Sequence, residues 1–476
     1  MKTIFEKGSD GRKGSFLPEL DVPQNHNLLP NEMARKEIEL PDLSEIDVVR
    51  HYTKLSTMNY GVDSGFYPLG SCTMKYNPKV NEDLAKLEGF ACSHPLQPEE
   101  LSQGSLQLMR ELEKMLCEIT GFKRVSLQPA AGAHGELTGI MIVQAYFRKK
   151  KEKRTKILVA DSSHGTNPAS AVLCGFEAVE VKSDKEGNLD LELLREKMQD
   201  DVAGLMLTNP NTLGLFDRNI KQICEIVHSK GGLVYCDGAN MNALLGVSRP
   251  ADAGYDVMHL NLHKSFATPH GGGGPGSGPV GVVEKLVPFL PRPTVEEKNG
   301  KYSLDYSSKD SIGKVKAFYG NFGVMVKAYC YIKSIGASGI RKAAENAVLN
   351  ANYMRQKLKK TYNLAYDRTC MHEFVLDDSK MPNGVTTMDI AKRLLDYGYH
   401  APTIYFPLIV HGAIMIEPNE TEPKETMDEF ISVMEKIAEE AKTNPELVKS
   451  APTKTIIRRL DAVKAAREPN LRWKKP

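Results

Sequence analysis

The stretch DVMHLNLHKSFATPHGGGGPGSGPVGVV at residues 256–283 decides how the rest of the chain is interpreted. It begins with an apolar run typical of a buried strand, presents Lys264 between His263 and Ser265, and continues into a run of glycines. Lys264 follows one apolar run and Asp237 follows the run before it, which predicts an amine held ready for a carbonyl group. A solvated surface lysine beside a glycine-rich loop is the alternative.

The chain on either side of Asp237 alternates short apolar runs with helical patterns. The runs are KILVA at residues 156–160, AGLMLT at 203–208, GLVYC at 232–236 and YDVMHLN at 255–261, and each ends in a polar cluster. This alternation predicts a βα repeat with a largely parallel sheet. Because ligands of such sheets bind at the carboxyl ends of the strands, the polar clusters are expected to line a site.

Four residues at these strand ends meet the needs of pyridoxal phosphate, an aldehyde cofactor built on a pyridine ring. Lys264 would hold the aldehyde as a Schiff base, and Asp237 would pair with the protonated ring nitrogen. Ala239 and His164 would lie on the two faces of the ring. An aspartate after a strand is also typical of a helix N-cap, and a lone histidine is more often structural. The order of these residues on successive strand ends favours the joint interpretation, with Lys264, Asp237 and His164 as the catalytic residues.

The phenolic oxygen and the phosphate of such a cofactor also have predicted partners. Asn211 or Thr212 would donate a hydrogen bond to the phenolic oxygen. A turn of small residues before a predicted helix lets backbone N–H groups approach an anion, although close helix packing explains such a turn equally well. The predicted phosphate-binding residues are Ala131, Gly132, Ala133 and His263.

Composition limits the possible functions. The 476 residues have 41% hydrophobic and 26% charged side chains and a net charge of +2, so nothing indicates binding to nucleic acid or to a membrane. The sequence begins without the apolar core of a signal peptide and contains no apolar stretch that could span a bilayer. Eight scattered cysteines without a CxxC pair predict reduced thiols, no metal site and a cytoplasmic location.

The length predicts several domains. We expect an N-terminal extension with an active-site loop at residues 1–96, a large cofactor-binding α/β domain at 97–330, a small α+β domain at 331–450 and a peripheral tail at 451–476. The loop at residues 66–78, FYPLGSCTMKYNP, would fold over the active site, with Ser71 and Thr73 contacting substrate. The glycines at 271–274 would give an access loop its mobility.

Several of these segments together resemble the P-protein family of the glycine cleavage system, the decarboxylating glycine dehydrogenases, in the form that is divided between two chains. The resemblance extends over roughly residues 63–418. The segments are YPLGSCTMKYNP, LQPAAGAHGE, DSSHGTNPASA, MLTNPNTLGLF, CDGANMNALLG and HLNLHKSFATPHGGGGPGSGPVGV.

The resemblance implies a fold-type I, aspartate aminotransferase-like enzyme with pyridoxal phosphate on Lys264. It implies that the enzyme releases CO2 from glycine and transfers the aminomethyl group to the lipoyl arm of H-protein. It further implies a homologous subunit 1 in an α2β2 heterotetramer. No GxGxxG dinucleotide fingerprint directly follows any predicted strand, which agrees with a nicotinamide step that takes place elsewhere in the system.

Two rival hypotheses remain at this point. The first is another fold-type I enzyme, such as an aminotransferase or a cysteine desulfurase, for which Cys72 is the loop cysteine. The second is a non-catalytic scaffold subunit that has kept the fold.

Overall fold

A computed structural model describes residues 2–14, 18–23, 29–30, 32–35, 40–271 and 276–473. Residues 272–275, which include most of the predicted glycine-rich access loop, lie outside this described part. The chain divides into two compact units, Met1–Gly65 and Phe66–Pro476. The domain limits expected from the sequence therefore stay a prediction.

Fifteen α-helices lie within the described residues. They are α1 Glu45–Ser56, α2 Lys79–Ala85, α3 Glu88–Ala91, α4 Gln103–Thr120, α5 Gly132–Lys150, α6 Thr166–Leu173, α7 Leu191–Lys197, α8 Ile220–Ser229, α9 Pro250–Ala253, α10 Leu262–Ser265, α11 Phe322–Leu358, α12 Thr387–Asp396, α13 Lys424–Thr443, α14 Pro445–Lys449 and α15 Ala462–Arg467. Short 3₁₀ helices occur at Ile4–Glu6, Glu99–Leu101, Met241–Ala243 and Glu284–Phe289. None of the helices in the described ranges is long and apolar enough to cross a membrane.

Thirteen β-strands lie within the same residues. They are β1 Arg124–Ser126, β2 Lys156–Ala160, β3 Glu177–Val181, β4 Val202–Thr208, β5 Leu233–Gly238, β6 Val257–Leu260, β7 Val280–Val282, β8 Thr294–Lys298, β9 Lys301–Asp305, β10 Asn363–Leu364, β11 Phe374–Asp377, β12 Thr403–Ile404 and β13 Ala413–Ile416.

The unit Met1–Gly65 contains one longer helix, α1. Its N-terminus is closed by a capping box in which the Ser44 hydroxyl lies 2.6 Å from the Asp47 carboxylate, and that carboxylate also accepts the Ser44 amide. Such a box satisfies backbone donors that would otherwise have no partner in the first turn.

The second unit is built around a seven-stranded sheet with the order β1-β7-β6-β5-β4-β2-β3. Strands β2 to β6 are parallel to their neighbours, whereas β7 runs antiparallel to β6 and β1. Every residue of β4, β5 and β6 is buried, as expected for central parallel strands covered on both faces. All four predicted parallel strands form, so their polar ends lie at one edge of the sheet.

A smaller antiparallel sheet with the order β10-β11-β13-β12 follows in the chain. Its core is shared with α12, α13 and the second half of α11. Phe66 packs into this core, and Leu69 forms a β-bridge with Ile416 of β13. The loop predicted to lie over the active site is therefore attached to the small sheet, although it precedes the large sheet in sequence.

Helix α11 extends from Phe322 to Leu358, with a break at Gly336, where φ is 62° and ψ is −175°. Glycine adopts this backbone conformation without the steric cost that a Cβ would add. Residues 294–305 form the β8–β9 hairpin, and the partly exposed edge strand β3 was not predicted.

Candidate active site

A cavity of about 190 Å³ lies at the carboxyl ends of β4, β5 and β6. Most of the residues predicted from sequence line it. They are Ser71, Gly132, Ala133, His164, Thr212, Asp237, Ala239, His263 and Lys264. Six further lining residues were not predicted, namely Glu136, Thr166, Thr208, Asn240, His259 and Asn261. Ala131, Thr73 and Asn211 are not among the lining residues of this cavity.

Lys264 reaches the cavity from α10, a single helical turn directly after β6. Backbone amides of Lys264 and Ser265 both bond to the carbonyl of Asn261, which fixes this turn at the end of the strand. Asp237 lies one strand away, near the end of β5, where it pairs across the sheet with His259 of β6. Lys264 and Asp237 therefore line the same cavity, as the sequence interpretation requires.

The Asp237 carboxylate is buried and well supplied with donors. Its Oδ1 accepts the amide of Ala239 at 3.0 Å, and its Oδ2 accepts Nδ2 of Asn167 at 3.0 Å. The His259 ring nitrogen Nε2 lies 3.5 Å from Oδ1. Burial alone would raise the pKa of Asp237, but His259 and these hydrogen bonds lower the pKa below its usual range. An ionised carboxylate at this position can pair with a cationic ring nitrogen.

Glu136, on the first turns of α5, forms a second carboxyl group beside Asp237. It accepts hydrogen bonds from the Thr166 hydroxyl at 2.9 Å and from Nδ2 of Asn167 at 3.0 Å. Asn167 thus donates to both carboxyl groups. Burial, and next the negative charge of Asp237, raise the pKa of Glu136 to about 8. The pair therefore carries one negative charge at neutral pH, and Asp237 holds it.

The N-terminus of α5 provides the space that a phosphate group requires. A Cβ at Gly132 would lie 2.2 Å from Oδ1 of Asn261, and a Cβ at Gly278 would lie 2.0 Å from the carbonyl of Ala131. A side chain at Gly278 would overlap backbone atoms and one at Gly132 would displace the Asn261 side chain, so the two glycines leave room at the start of this 19-residue helix. Asn261 Oδ1 is buried and has no hydrogen-bond partner within the described part of the chain.

Two of the three histidines that line the cavity, His164 and His263, can contact a ligand in their neutral form. Burial lowers the pKa of His164, whose Nδ1 lies 2.9 Å from the Thr166 hydroxyl. Burial also lowers the pKa of His263 to about 3. The Nδ1 of His263 accepts the amide of Ser277 at 3.3 Å, so its Nε2 carries the proton and can donate to an anion. Both side chains can therefore contact a flat or anionic ligand without adding a charge.

The predicted donors to a phenolic oxygen are already engaged. Asn211 donates to the carbonyl of Gly187 and accepts two amides of its own loop, so its side chain holds that loop together. The Thr212 hydroxyl donates to the carbonyl of Ser162 at 2.5 Å. Thr208, at the end of β4, lines the same cavity, and its buried hydroxyl has no partner among the described residues. Thr208 ends the predicted strand AGLMLT, so its position was available from the sequence.

The loop residues Ser71 and Thr73 have separate positions. Ser71 lines the cavity, whereas Thr73 is buried behind it and donates its hydroxyl to Glu417 at 2.6 Å. Both residues have left-handed backbone conformations, with φ values of 64° and 51°. Between them, the carbonyl of Cys72 accepts a hydrogen bond from Nε2 of His270 at 2.7 Å.

These residues fit pyridoxal phosphate. The cavity combines a lysine, a buried ionised aspartate on a neighbouring strand and a glycine-lined helix N-terminus. It also has a buried hydroxyl without a partner among the described residues, Thr208 Oγ1, that a ligand can satisfy.

Comparison with known proteins identifies the family. Residues 18–301 match the family described as glycine cleavage system P-protein, and residues 343–457 match the C-terminal domain of glycine dehydrogenase. The chain belongs to the glycine cleavage system P-protein family. The family and enzyme class predicted from the sequence are therefore confirmed.

Relatives within the P-protein family extend over nearly the whole chain. A protein of Caldanaerobacter subterraneus subsp. tengcongensis, named probable glycine dehydrogenase (decarboxylating) subunit 2, is 63% identical over 477 residues and covers 99% of this chain and 98% of its own length. A protein of the same name from Alkaliphilus oremlandii is 59% identical over 479 residues, which is 100% of this chain and 98% of that protein.

Solved structures support the fold of this P-protein family member. An inhibitor-bound crystal structure of glycine decarboxylase (P-protein) superimposes with a TM-score of 0.73 at 20% identity, covering 86% of this chain and 93% of that chain. A cysteine desulfurase from Thermococcus onnurineus has a TM-score of 0.62 at 16% identity, covering 79% and 95%. The predicted fold-type I architecture is confirmed.

Proposed function

We propose that this chain binds pyridoxal phosphate through Lys264 and decarboxylates glycine within the glycine cleavage system. The observation that carries the proposal is that Lys264 and Asp237 line one cavity. Membership of the P-protein family supports glycine as the substrate. The aminomethyl group that remains after CO2 leaves is passed to the lipoyl arm of H-protein.

Asp237 provides the charge on which the chemistry depends. When bound, pyridoxal phosphate supplies an electron-accepting ring that stabilises the negative charge left on the glycine carbon as CO2 departs. Asp237, kept ionised by Ala239 and Asn167, would pair with the ring nitrogen and hold the proton there. Ala239 and His164, which line the same cavity, would lie against the two ring faces.

The phosphate and the phenolic oxygen have several partners available. Gly132 and Ala133, with Ala131 preceding them, offer backbone amides at the start of α5, and His263 donates from Nε2. Thr208 joins the originally predicted Asn211 and Thr212 as a donor to the phenolic oxygen. Thr208 is the one of these three whose side chain has no partner among the described residues.

The cavity volume of about 190 Å³ supports a small amino acid as the substrate. Ser71 lines the cavity and is the proposed contact to glycine. Thr73 does not line the cavity, and its hydroxyl donates to Glu417.

We further propose a partner subunit 1 in an α2β2 heterotetramer, docking of lipoylated H-protein and a cytoplasmic location. The name subunit 2, which the relatives carry, supports a two-chain enzyme. All eight cysteines are free, which supports a reducing compartment.

A cysteine desulfurase shares this fold and is the main competing function. Such an enzyme attacks with a thiolate. In this chain, burial raises the pKa of the Cys72 thiol above its usual value, which disfavours the thiolate.

The test of the cofactor assignment uses the purified chain mixed with pyridoxal phosphate. We expect a visible absorbance band that borohydride removes, and its complete loss in Lys264→Ala. The matched control is Lys221→Ala, an exposed lysine on α8, which should keep the band. A band that persists in Lys264→Ala would place the cofactor on another lysine.

The activity is tested with the chain, subunit 1, lipoylated H-protein, glycine and labelled bicarbonate. We expect exchange of labelled CO2 into the carboxyl group of glycine. The absence of exchange with all components present would exclude glycine decarboxylation while leaving the cofactor assignment intact.

A further inference from the structure

A second pair of buried carboxyl groups lies behind the cavity, on the small sheet. Glu373 precedes β11 and Glu417 follows β13, so the two residues lie next to each other at the end of these paired strands. Both are fully buried. With His372, their ligand atoms lie within 4.8 Å of one another. Two negative charges this close in a buried site repel strongly, so the pair needs a proton or a cation.

Both glutamates contact the turn of residues 71–73. Glu373 Oε2 accepts the amide of Ser71 at 2.7 Å. Glu417 accepts the amide of Thr73 at 2.9 Å and the Thr73 hydroxyl at 2.6 Å. Ser71 and Thr73 have left-handed φ values, which a β-branched residue such as threonine rarely adopts unless its surroundings hold it. The glutamates provide the contacts that hold this turn.

The hydrogen bonds assign the proton within the pair. Glu417 accepts three donors, because Nδ2 of Asn242 lies 3.1 Å from it in addition to the two groups of Thr73. Glu373 accepts one, and its Oε1 has no partner within the described chain. A buried carboxylate is stabilised by several donors, whereas an oxygen without donors suits a protonated carboxyl group. The negative charge therefore lies on Glu417.

Other groups around the pair agree with one negative charge. Burial raises the pKa of Glu373 well above its usual value, with Glu417 the next cause, and burial also raises the pKa of Glu417. Lys264 favours ionisation of both glutamates, and Lys75, which is paired with Glu420, also interacts with Glu417. His372 stays neutral because burial lowers its pKa to about 3.

We propose that Glu373 and Glu417 are positioning residues that share one proton, with the charge on Glu417, and thereby hold Ser71 in the wall of the Lys264 cavity. The hydrogen bonds of the turn do not require the cofactor. The further claim, that the fixed position of Ser71 helps to bind glycine, rests on the proposed function.

The labelling rate of Cys72 monitors the turn at residues 71–73 without an activity assay. It is half-buried between Ser71 and Thr73, whereas Cys92 is exposed and serves as the reference thiol in the same molecule. The rate of N-ethylmaleimide labelling at each cysteine is followed by peptide mass spectrometry in the full chain. Release of the turn should raise the labelling rate of Cys72 relative to Cys92.

Two substitutions of equal size distinguish the charged glutamate from the protonated one. We expect Glu417→Gln to raise the Cys72 to Cys92 labelling ratio about tenfold or more, because hydrogen bonds to a charged acceptor are lost. Glu373→Gln mimics the protonated carboxyl group, so its ratio should stay within about twofold of the parent value. Equal effects of the two substitutions, or the reverse order, would overturn the assignment of the proton.

Two further measurements keep the proposal testable if Glu417→Gln does not fold. At pH 8, Glu373→Gln should unfold at a temperature no lower than the parent, because glutamine needs no proton to stay neutral. A clearly lower unfolding temperature would contradict a protonated Glu373. The parent should label at the same ratio with and without EDTA, since dependence on a divalent cation would mean that a metal replaces the proton. Neither measurement depends on glycine decarboxylation.

Discussion

Two buried carboxyl pairs lie at or behind the cavity, and they differ in which part of the chain donates hydrogen bonds to them. Asp237 and Glu136 lie on the large sheet and its first helix, and Asn167 donates to both. Glu373 and Glu417 lie at the end of the small sheet, and the loop residues Ser71 and Thr73 provide most of their donors. The large sheet and its helices hold the first pair in place, whereas the second pair holds the loop at residues 71–73 in place. In the second pair the member with more donors, Glu417, bears the charge, whereas in the first pair His259 beside Asp237 favours the charge there.

The largest effect should come from removing the charge of the first pair. Asp237→Asn keeps the shape of the side chain but leaves the ring nitrogen of the cofactor without an anion. We expect CO2 exchange in the complete system to fall by about a hundredfold or more, similar to the loss of one preorganised electrostatic contact in other enzymes. Initial rates of labelled bicarbonate incorporation measure it.

The matched substitution is Glu136→Gln, which replaces a protonated carboxyl group with a neutral amide. Its effect on the same exchange rate should be much smaller than that of Asp237→Asn. If Glu136→Gln reduced exchange as strongly, the proton would not lie on Glu136, and the two pairs could not be compared in this way.

The comparison also shows what the sequence could predict. Asp237 and Lys264 were predictable because each directly follows an apolar run, and parallel strands bring such ends to one edge of a sheet. Glu136 was missed because it lies within a helix whose pattern indicated only packing. Its burial beside Asp237 depends on how α5 crosses the sheet. Thr208 was missed although it ends a predicted strand, because Asn211 and Thr212 follow so closely.

The second pair could not be predicted by the same reasoning. Glu373 and Glu417 bond to residues that lie 302 and 344 positions earlier in the chain. No local pattern connects these segments. The loop at residues 66–78 was expected to lie near the site from its composition, but its attachment to β13 is a property of tertiary packing. The edge strand β3 was missed because two of its five residues are exposed glutamates, which interrupt the apolar run typical of the central strands.

Glu136 should give a smaller effect, which is a dependence of protein stability on pH. Its folded-state pKa of about 8 exceeds the ordinary value of 4.5, so the folded protein retains a proton that the unfolded chain releases. This contribution to stability is complete below the ordinary value and is lost as pH rises through about 8. The unfolding temperature of the parent should therefore fall more steeply between pH 5 and 9 than that of Glu136→Gln.

Thermal unfolding followed by circular dichroism at pH 5, 7 and 9 measures this difference. The control is Glu192→Gln on α7, whose carboxyl side chain is 87% exposed. Its profile should run parallel to that of the parent. Parallel profiles for the parent and Glu136→Gln would show that Glu136 ionises normally in the folded protein.

The smallest effect tests whether the Glu417 end of the second pair is charged. Thr73→Val keeps the branched shape but removes the hydroxyl that donates to Glu417 at 2.6 Å. Because the acceptor is a carboxylate, the free energy of unfolding should fall by roughly 1.5–3 kcal/mol. Thr120→Val removes an equally buried hydroxyl that donates to the carbonyl of Leu116, also at 2.6 Å, and should cost roughly 0.5–1.5 kcal/mol. Denaturant unfolding compares the two, and a smaller loss for Thr73→Val than for Thr120→Val would mean that Glu417 is neutral.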